Sequence, residues 1–251
     1  MTICDTNIWY DLHDYPDSYK NSGDLVLTPL VTKEISNSPK LVNKFEMIQK
    51  ACKNIFKYGN DIILETPLEY LLKLDNQVFI DSIPYQNLSN EFEVISRISD
   101  GGKIKEDKKI ALRQHIEKIK ENLTKGTSDV QDILNQVRKN IDDRRNRKKQ
   151  NTIETTKELI RKVFIETPTN NQYKLSDNFD WSKIELFLYT FDMYFKDLEV
   201  NTTMKIKDND WIDIFNILYV SPKDKYFTKD NTWLRIIKSA EMEKYLISDC
   251  P

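Results

Sequence analysis

Short apolar triplets, each ending at an acid or a hydroxyl, constrain this chain most. They are Thr2-Ile3-Cys4 before Asp5, Leu25-Val26-Leu27 before Thr28, and Tyr226-Phe227-Thr228 shortly before Asp230. A strand in an antiparallel sheet with one wet face alternates apolar and polar residues. A strand of a parallel sheet, buried on both faces, reads as an unbroken apolar run. Helical periodicities lie between these triplets, and strands that alternate with helices imply a parallel sheet with helices on both sides. The triplets come from both ends of the chain, so the two ends should build one sheet.

The spacing predicts helices over Thr6 to Leu12, from Thr28-Pro29 onward, over Leu41 to Phe56, from Thr66-Pro67 to Leu72, over Asp210 to Val220 and over Thr232 to Ser239. Thr-Pro pairs are strong start signals, because the hydroxyl caps and proline suits the first helical position. Further strands are expected at Asp61 to Glu65 and Tyr245 to Ile247. From about Glu91 to Glu199 the pattern is helical throughout, with Gly101-Gly102 and Gly126-Thr127-Ser128 as expected breaks. The expected division is an α/β core over 1–90 and 200–251, with an all-helical insertion over 91–199.

Composition narrows the chemistry. The 251 residues are 39% apolar and 31% charged, with a formal net charge of -2. A sum so close to neutral can hide a basic face and an acidic pocket. With five glycines there is no Gly-rich phosphate loop or dinucleotide fingerprint. Cys4, Cys52 and Cys250 form no close-spaced ligand pair, which disfavours zinc and a disulfide framework. His13 and His115 stand far apart, and His115, beside an apolar stripe, reads as a packing residue. No stretch approaches the roughly 18 apolar residues of a membrane span, and no basic segment followed by an apolar run stands ahead of Asp5. The expectation is a soluble cytoplasmic protein without a membrane partner.

Four acids fall where a parallel sheet presents ligands, at strand ends or on neighbouring helices. Asp5 closes the first triplet in Asp5-Thr6-Asn7. Glu34 lies about a turn and a half into the helix opened by Thr28-Pro29. Asp213 sits near the start of Asp210-Trp211-Ile212-Asp213-Ile214-Phe215-Asn216, and Asp230 follows Tyr226-Phe227-Thr228-Lys229. Each has a bland explanation. Asp5 and Asp230 can cap the helices after them, Asp210 and Asp213 have the spacing of a capping pair, and Glu34 can be a solvated surface acid. Any one acid means little among 40 Asp and Glu residues.

In order and context, the four resemble the PIN-domain family. Its pattern is an Asp after the first strand, often followed by Thr-Asn. A Glu then lies on the second helix, an Asp opens a late helix, and an Asp stands in a Thr-x-Asp turn. The resemblance covers about 1–85 and 200–251 and leaves the helical middle unexplained. It implies a PIN-like three-layer fold with a central parallel sheet, and hydrolysis of a phosphodiester, usually in RNA. On that resemblance Asp5, Glu34, Asp213 and Asp230 are the catalytic metal ligands, with Asp210 as an additional ligand. Thr6, Asn7 and Thr228 are supporting residues that orient the carboxylates or contact phosphate by hydrogen bonds. An all-oxygen acidic set suits Mg²⁺ or Mn²⁺. RNA, single-stranded or structured, is the expected partner, with a role as toxin or defence effector. A structure-specific DNA nuclease and a catalytically inactive RNA-binding scaffold are the alternatives, and a second copy of the chain or a protein inhibitor is an open partner. Arg144, Arg145, Arg147 and Lys148 lie in the densest basic run and are the candidate phosphate-binding tract; the bland alternative is an exposed helix terminus.

Overall fold

The computed structural model describes residues 1–15, 23–77, 83–139, 152–161, 173–201 and 203–247. Four strands form one sheet: β1 (Thr2–Cys4), β2 (Leu25–Leu27), β3 (Gly59–Ile62) and β4 (Lys225–Phe227). The order is β3-β2-β1-β4 and every pairing is parallel. Ile3 stands opposite Val26 on one side and Tyr226 on the other, so strands from the two ends of the chain meet at β1. The triplets at 2–4 and 25–27 are strands as expected, and the third strand runs one residue earlier than Tyr226–Thr228.

Helices α1 (Thr6–Asp11), α2 (Pro29–Ser36), α3 (Lys40–Asn43), α4 (Phe45–Tyr58) and α5 (Pro67–Leu74) follow the first three strands. The middle of the chain contributes α6 (Ile83–Ser99), α7 (Glu106–Lys139), α8 (Ile153–Ile160) and α9 (Glu185–Val200). After it come α10 (Asp208–Ile217) and α11 (Asn231–Ser239). Alternation along the strands splits the interior in two. Cys4, Leu25, Leu27 and Phe227 face a core shared with α1, α2, α4 and α6, through Ile8, Ile35, Ile48 and Ile95. Ile3, Val26 and Tyr226 face the other, with Phe187 and Phe191 of α9, Ile214 and Ile217 of α10, and Trp233 and Ile236 of α11. Three of the helices from the middle of the chain thus take part in the cores: α6 packs on α2 and α4, α9 on α10 and α11, and α8, through the buried Ile160, on α9.

Several local expectations need correction. Gly126-Thr127-Ser128 does not break the chain; α7 runs through it to Lys139. An interior glycine costs a helix only about 1 kcal/mol, and tertiary bonds outweigh it. Thr124 donates to Asp208 Oδ2 at 2.7 Å, and Gln131 Oε1 accepts from the Ile206 amide at 3.2 Å. Gly101-Gly102 does end α6, with Gly101 at φ 91° and the Gly102 amide on the Arg97 carbonyl, as expected of a left-handed C-cap. The stretch expected as one helix from Leu41 splits at Lys44, whose φ is -143°. The strand expected at Asp61–Glu65 lies earlier, at Gly59–Ile62, where a register shift against Leu25/Val26 accommodates it. The strand expected at Tyr245–Ile247 shrinks to a single bridge between Tyr226 and Leu246. His115 is exposed rather than packed. Among the described residues no helix is long and apolar enough to cross a membrane.

Candidate functional site

The sheet order fixes where a site can form. From β1 the chain moves outward to β2 and β3, and later returns to lay β4 on the opposite side of β1. The direction reverses between β1 and β4, and in open α/β sheets ligands bind at the carboxyl ends of strands at such a reversal. Asp5 and the Thr228–Asp230 turn occupy those ends, and the Asp5 amide donates to the Phe227 carbonyl at 2.9 Å across the join.

Asp5 is 2% exposed. It stands at the N-cap of α1, yet its side chain makes no capping bond. Its Oδ2 accepts from Thr228 Oγ1 at 2.7 Å and from Asn7 Nδ2 at 3.4 Å. Glu34, on α2, accepts from Thr6 Oγ1 at 2.6 Å. Asp213, on α10, accepts from the indole Nε1 of Trp233 at 2.9 Å. Asp230 does cap α11: Oδ1 accepts from the Thr232 and Trp233 amides at 2.7 and 3.4 Å, while its own amide donates to Thr228 Oγ1 at 3.1 Å. Thr6, Asn7 and Thr228 thus all orient acids of the set.

Electrostatics tie the four acids together. Burial pushes Asp213 up to about 8, and the nearby charges of Asp5, Glu34 and Asp230 push the same way, opposed by the Trp233 bond. Asp5 is raised by burial, against the Thr228 bond, with Asp230 adding to the rise. Glu34 is raised by burial, against the Thr6 bond, with Asp5 adding to the rise and Lys40 opposing it. Buried carboxylates that repel one another favour the neutral form until a cation arrives. Among the described residues no Lys or Arg forms an ion pair with any of the four. The rim lysine Lys229 pairs instead with Asp11, and Lys40 lies 4.1 Å from the Tyr10 ring centroid.

As donors, four mutually repelling carboxylates, Asp5 buried and Glu34, Asp213 and Asp230 half-buried, fit a hard divalent cation. Their convergence is looser than a coordination shell: among the described residues no three His, Cys, Asp or Glu side chains are set to hold one ion. Each acid turns at least one oxygen onto a neutral protein donor.

Asp210 is occupied elsewhere. The first-turn pair is Lys207 and Asp210, not Asp210 and Asp213, because α10 begins at Asp208. Asp210 Oδ2 accepts from the Lys207 amide at 2.8 Å and from Tyr194 Oη at 2.7 Å. Arg144, Arg145, Arg147 and Lys148 lie outside the described residues.

Three residues of the site carried no expectation. Trp233 is three positions past Asp230, but its bond to Asp213 depends on how α10 and α11 both pack on α9. Tyr226 is fully buried, with the Asn216 side chain beside its hydroxyl. Burial, then Asp5 and Asp213, raise its phenol well above the ordinary range, against the contact from Asn216. Asn216 had a legible signal: it is the lone amide in Ile214-Phe215-Asn216-Ile217-Leu218, one turn past Asp213. No protein-family model, curated protein or solved structure matches the chain.

Proposed function

We propose that this chain is a PIN-like, metal-dependent phosphodiesterase, an endoribonuclease using Mg²⁺ or Mn²⁺, whose core over 1–90 and 200–251 is completed by helices from the helical middle at 91–199. One observation carries the reading. Four acids from four separate segments, Asp5, Glu34, Asp213 and Asp230, gather at the reversal of strand order; burial raises the pKa of Asp5, Glu34 and Asp213, and the charges of neighbouring acids in the set add to each rise, without an ion-pairing Lys or Arg among the described residues. Such an assembly is costly to fold, and a bound cation offsets the cost. The preference for RNA over DNA, and a role as toxin or defence effector, rest on the family resemblance alone.

Asp5, Glu34, Asp213 and Asp230 would hold the ion or ions. When bound, such a cation stabilises charge on a phosphate and lowers the pKa of a coordinated water. The chain's own residues supply orientation. Thr228 and Asn7 fix the Asp5 carboxylate, Thr6 fixes Glu34, and Trp233 fixes Asp213. Asp213, with its pKa near 8, carries a proton at neutral pH that cation binding would displace. Arg144, Arg145, Arg147 and Lys148 would hold the phosphate backbone.

The test is cleavage of labelled single-stranded RNA with Mn²⁺, beside a binding titration at several salt concentrations. Asp213→Asn should abolish cutting and preserve binding. Replacing the four basic residues with Ala should weaken binding and flatten its salt dependence by roughly one unit of slope per lost phosphate contact. A second reading, the inactive RNA-binding scaffold, is favoured by the loose convergence of the carboxylates. It takes over if wild-type protein binds RNA but cuts it with neither metal.

A further inference from the structure

Three of the four acids sit on separate elements: Asp5 at the end of β1, Glu34 on α2 and Asp213 on α10. One buried side chain reaches all three elements. Asn216, 2% exposed, projects from α10 one turn past Asp213. Its Nδ2 donates to the carbonyl of Cys4, the residue before Asp5, at 3.2 Å. Its Oδ1 accepts from Thr28 Oγ1 at 2.6 Å, and Thr28 is the N-cap of α2. The same hydroxyl accepts from the Val31 amide at 3.4 Å, so the bonds run unbroken from the first turn of α2, through Thr28 and Asn216, to the end of β1. The Cys4 carbonyl accepts only, which fixes the amide's orientation, and the Thr28 hydroxyl donates to Asn216 while accepting from Val31.

Only a side chain with both a donor and an acceptor can serve this place. An aliphatic residue of similar size would leave the buried Cys4 carbonyl and Thr28 hydroxyl without these partners, and an acid would set a fifth carboxyl among four that already repel. The bonds are short-range and directional, so they fix the distance between the elements that carry the acids, which non-directional packing does not.

We infer that Asn216, together with Thr28, is a positioning residue that sets the spacing of the Asp5, Glu34 and Asp213 carboxylates for a shared divalent cation. The inference rests on the metal-site reading above, and its test keeps the two apart. The proteins are Asn216→Ala, the pair Thr28→Val and Thr28→Ser, and Ile48→Val as a core truncation outside the network. Two readouts are taken: the Mn²⁺ dependence of RNA cleavage, and, without metal, the ¹H–¹⁵N resonance of the Trp233 indole, assigned by its loss in Trp233→Phe.

Asn216→Ala should raise the half-saturating Mn²⁺ concentration roughly 10–100-fold and lower kcat, with KM for RNA unchanged. The indole resonance should move, because Asp213 shifts against Trp233. Thr28→Val should do the same and Thr28→Ser should recover most of the loss, so the network is still judged if Asn216→Ala fails to fold. Ile48→Val should lower Tm and leave both readouts alone. Folded Asn216→Ala with wild-type Mn²⁺ dependence, or with an unmoved indole resonance, would overturn the inference and leave Asn216 a packing residue. If wild-type protein neither binds Mn²⁺ nor cuts RNA, the metal-site reading fails, and the indole resonance alone decides whether Asn216 places Asp213.

Discussion

Trp233 donates its indole N–H to Asp213 Oδ2 at 2.9 Å, joining the aromatic core of α11 to the acid on α10. Trp233 is 1% exposed and its ring lies 5.3 Å from that of Tyr194, so packing has already fixed the donor before Asp213 meets it. The bond favours the charged form of an acid that everything else in its surroundings drives toward neutrality. Trp233→Phe keeps most of the packing and removes the donor. Hydrogen bonds to charged groups contribute about 1.5–3 kcal/mol, but this acid is largely protonated at neutral pH. The variant should therefore melt only slightly lower at pH 6 and distinctly lower at pH 9. A pair of thermal melts checks it, and equal losses at both values would show that the indole does not act on charged Asp213.

Stability should depend on pH in a direction unusual for carboxylates. Asp213 rises from 3.8 unfolded to about 8 folded, and Asp5 and Glu34 are also raised. Between these values the folded chain holds more protons than the unfolded chain, so its stability falls as pH rises. The contribution is complete below pH 3.8 and is lost as pH climbs through about 8. Without divalent cations the wild-type Tm should drop between pH 5 and 8, and Asp213→Asn should flatten that slope. A wild-type Tm that rises across this window would show that the acids are not crowded in solution.

Mn²⁺ should reverse the trend. An ion that binds only the folded chain stabilises by mass action, about 2.7 kcal/mol at a hundredfold excess over Kd. Its ligands must be deprotonated, so the gain should be larger at pH 8 than at pH 6. Asp5→Asn should lose most of the gain and, without metal, melt no lower than wild type, since an amide oxygen can still accept from Thr228. Equal Mn²⁺ shifts in the two proteins would place the ion elsewhere.

The parts of the fold that were legible in the sequence are those whose burial is symmetric. Thr2–Cys4, Leu25–Leu27 and Tyr226-Phe227 are covered on both faces, so they read as unbroken apolar runs. Gly59–Ile62 hid because it is an edge strand with Asn60, Asp61 and Ile62 exposed, and the more apolar Ile62-Ile63-Leu64 drew the assignment downstream. The continuity of α7 through Gly126 depends on Thr124 and Gln131 reaching residues some 75 or more positions away, which no local signal carries. The four acids were legible because strand ends and helix starts are local features. Their hydrogen-bond partners split by the same rule. Thr6, Asn7 and Thr228 each lie within two residues of an acid in the set, whereas the bond from Trp233 to Asp213 spans 20 positions and depends on helix packing.

Asp230 separates structure from chemistry within one residue. Its Oδ1 caps α11 by accepting from the Thr232 and Trp233 amides, while its negative charge belongs to the acidic set. Asparagine caps as well as aspartate, and alanine does not cap. Asp230→Asn should therefore keep the metal-free Tm of wild type, or exceed it by relieving repulsion, while losing Mn²⁺-dependent cleavage. Asp230→Ala should lose cleavage too, and also about 0.5–2 kcal/mol of stability from the missing cap. Denaturant unfolding of both variants without metal, beside a cleavage assay with Mn²⁺, reads the two roles independently. If Asp230→Asn cuts RNA at the wild-type rate, the charge has no part in the chemistry and Asp230 is a helix cap alone. If instead both variants unfold alike, the cap contributes nothing, and the bonds from the Thr232 and Trp233 amides are incidental to the charge beside them.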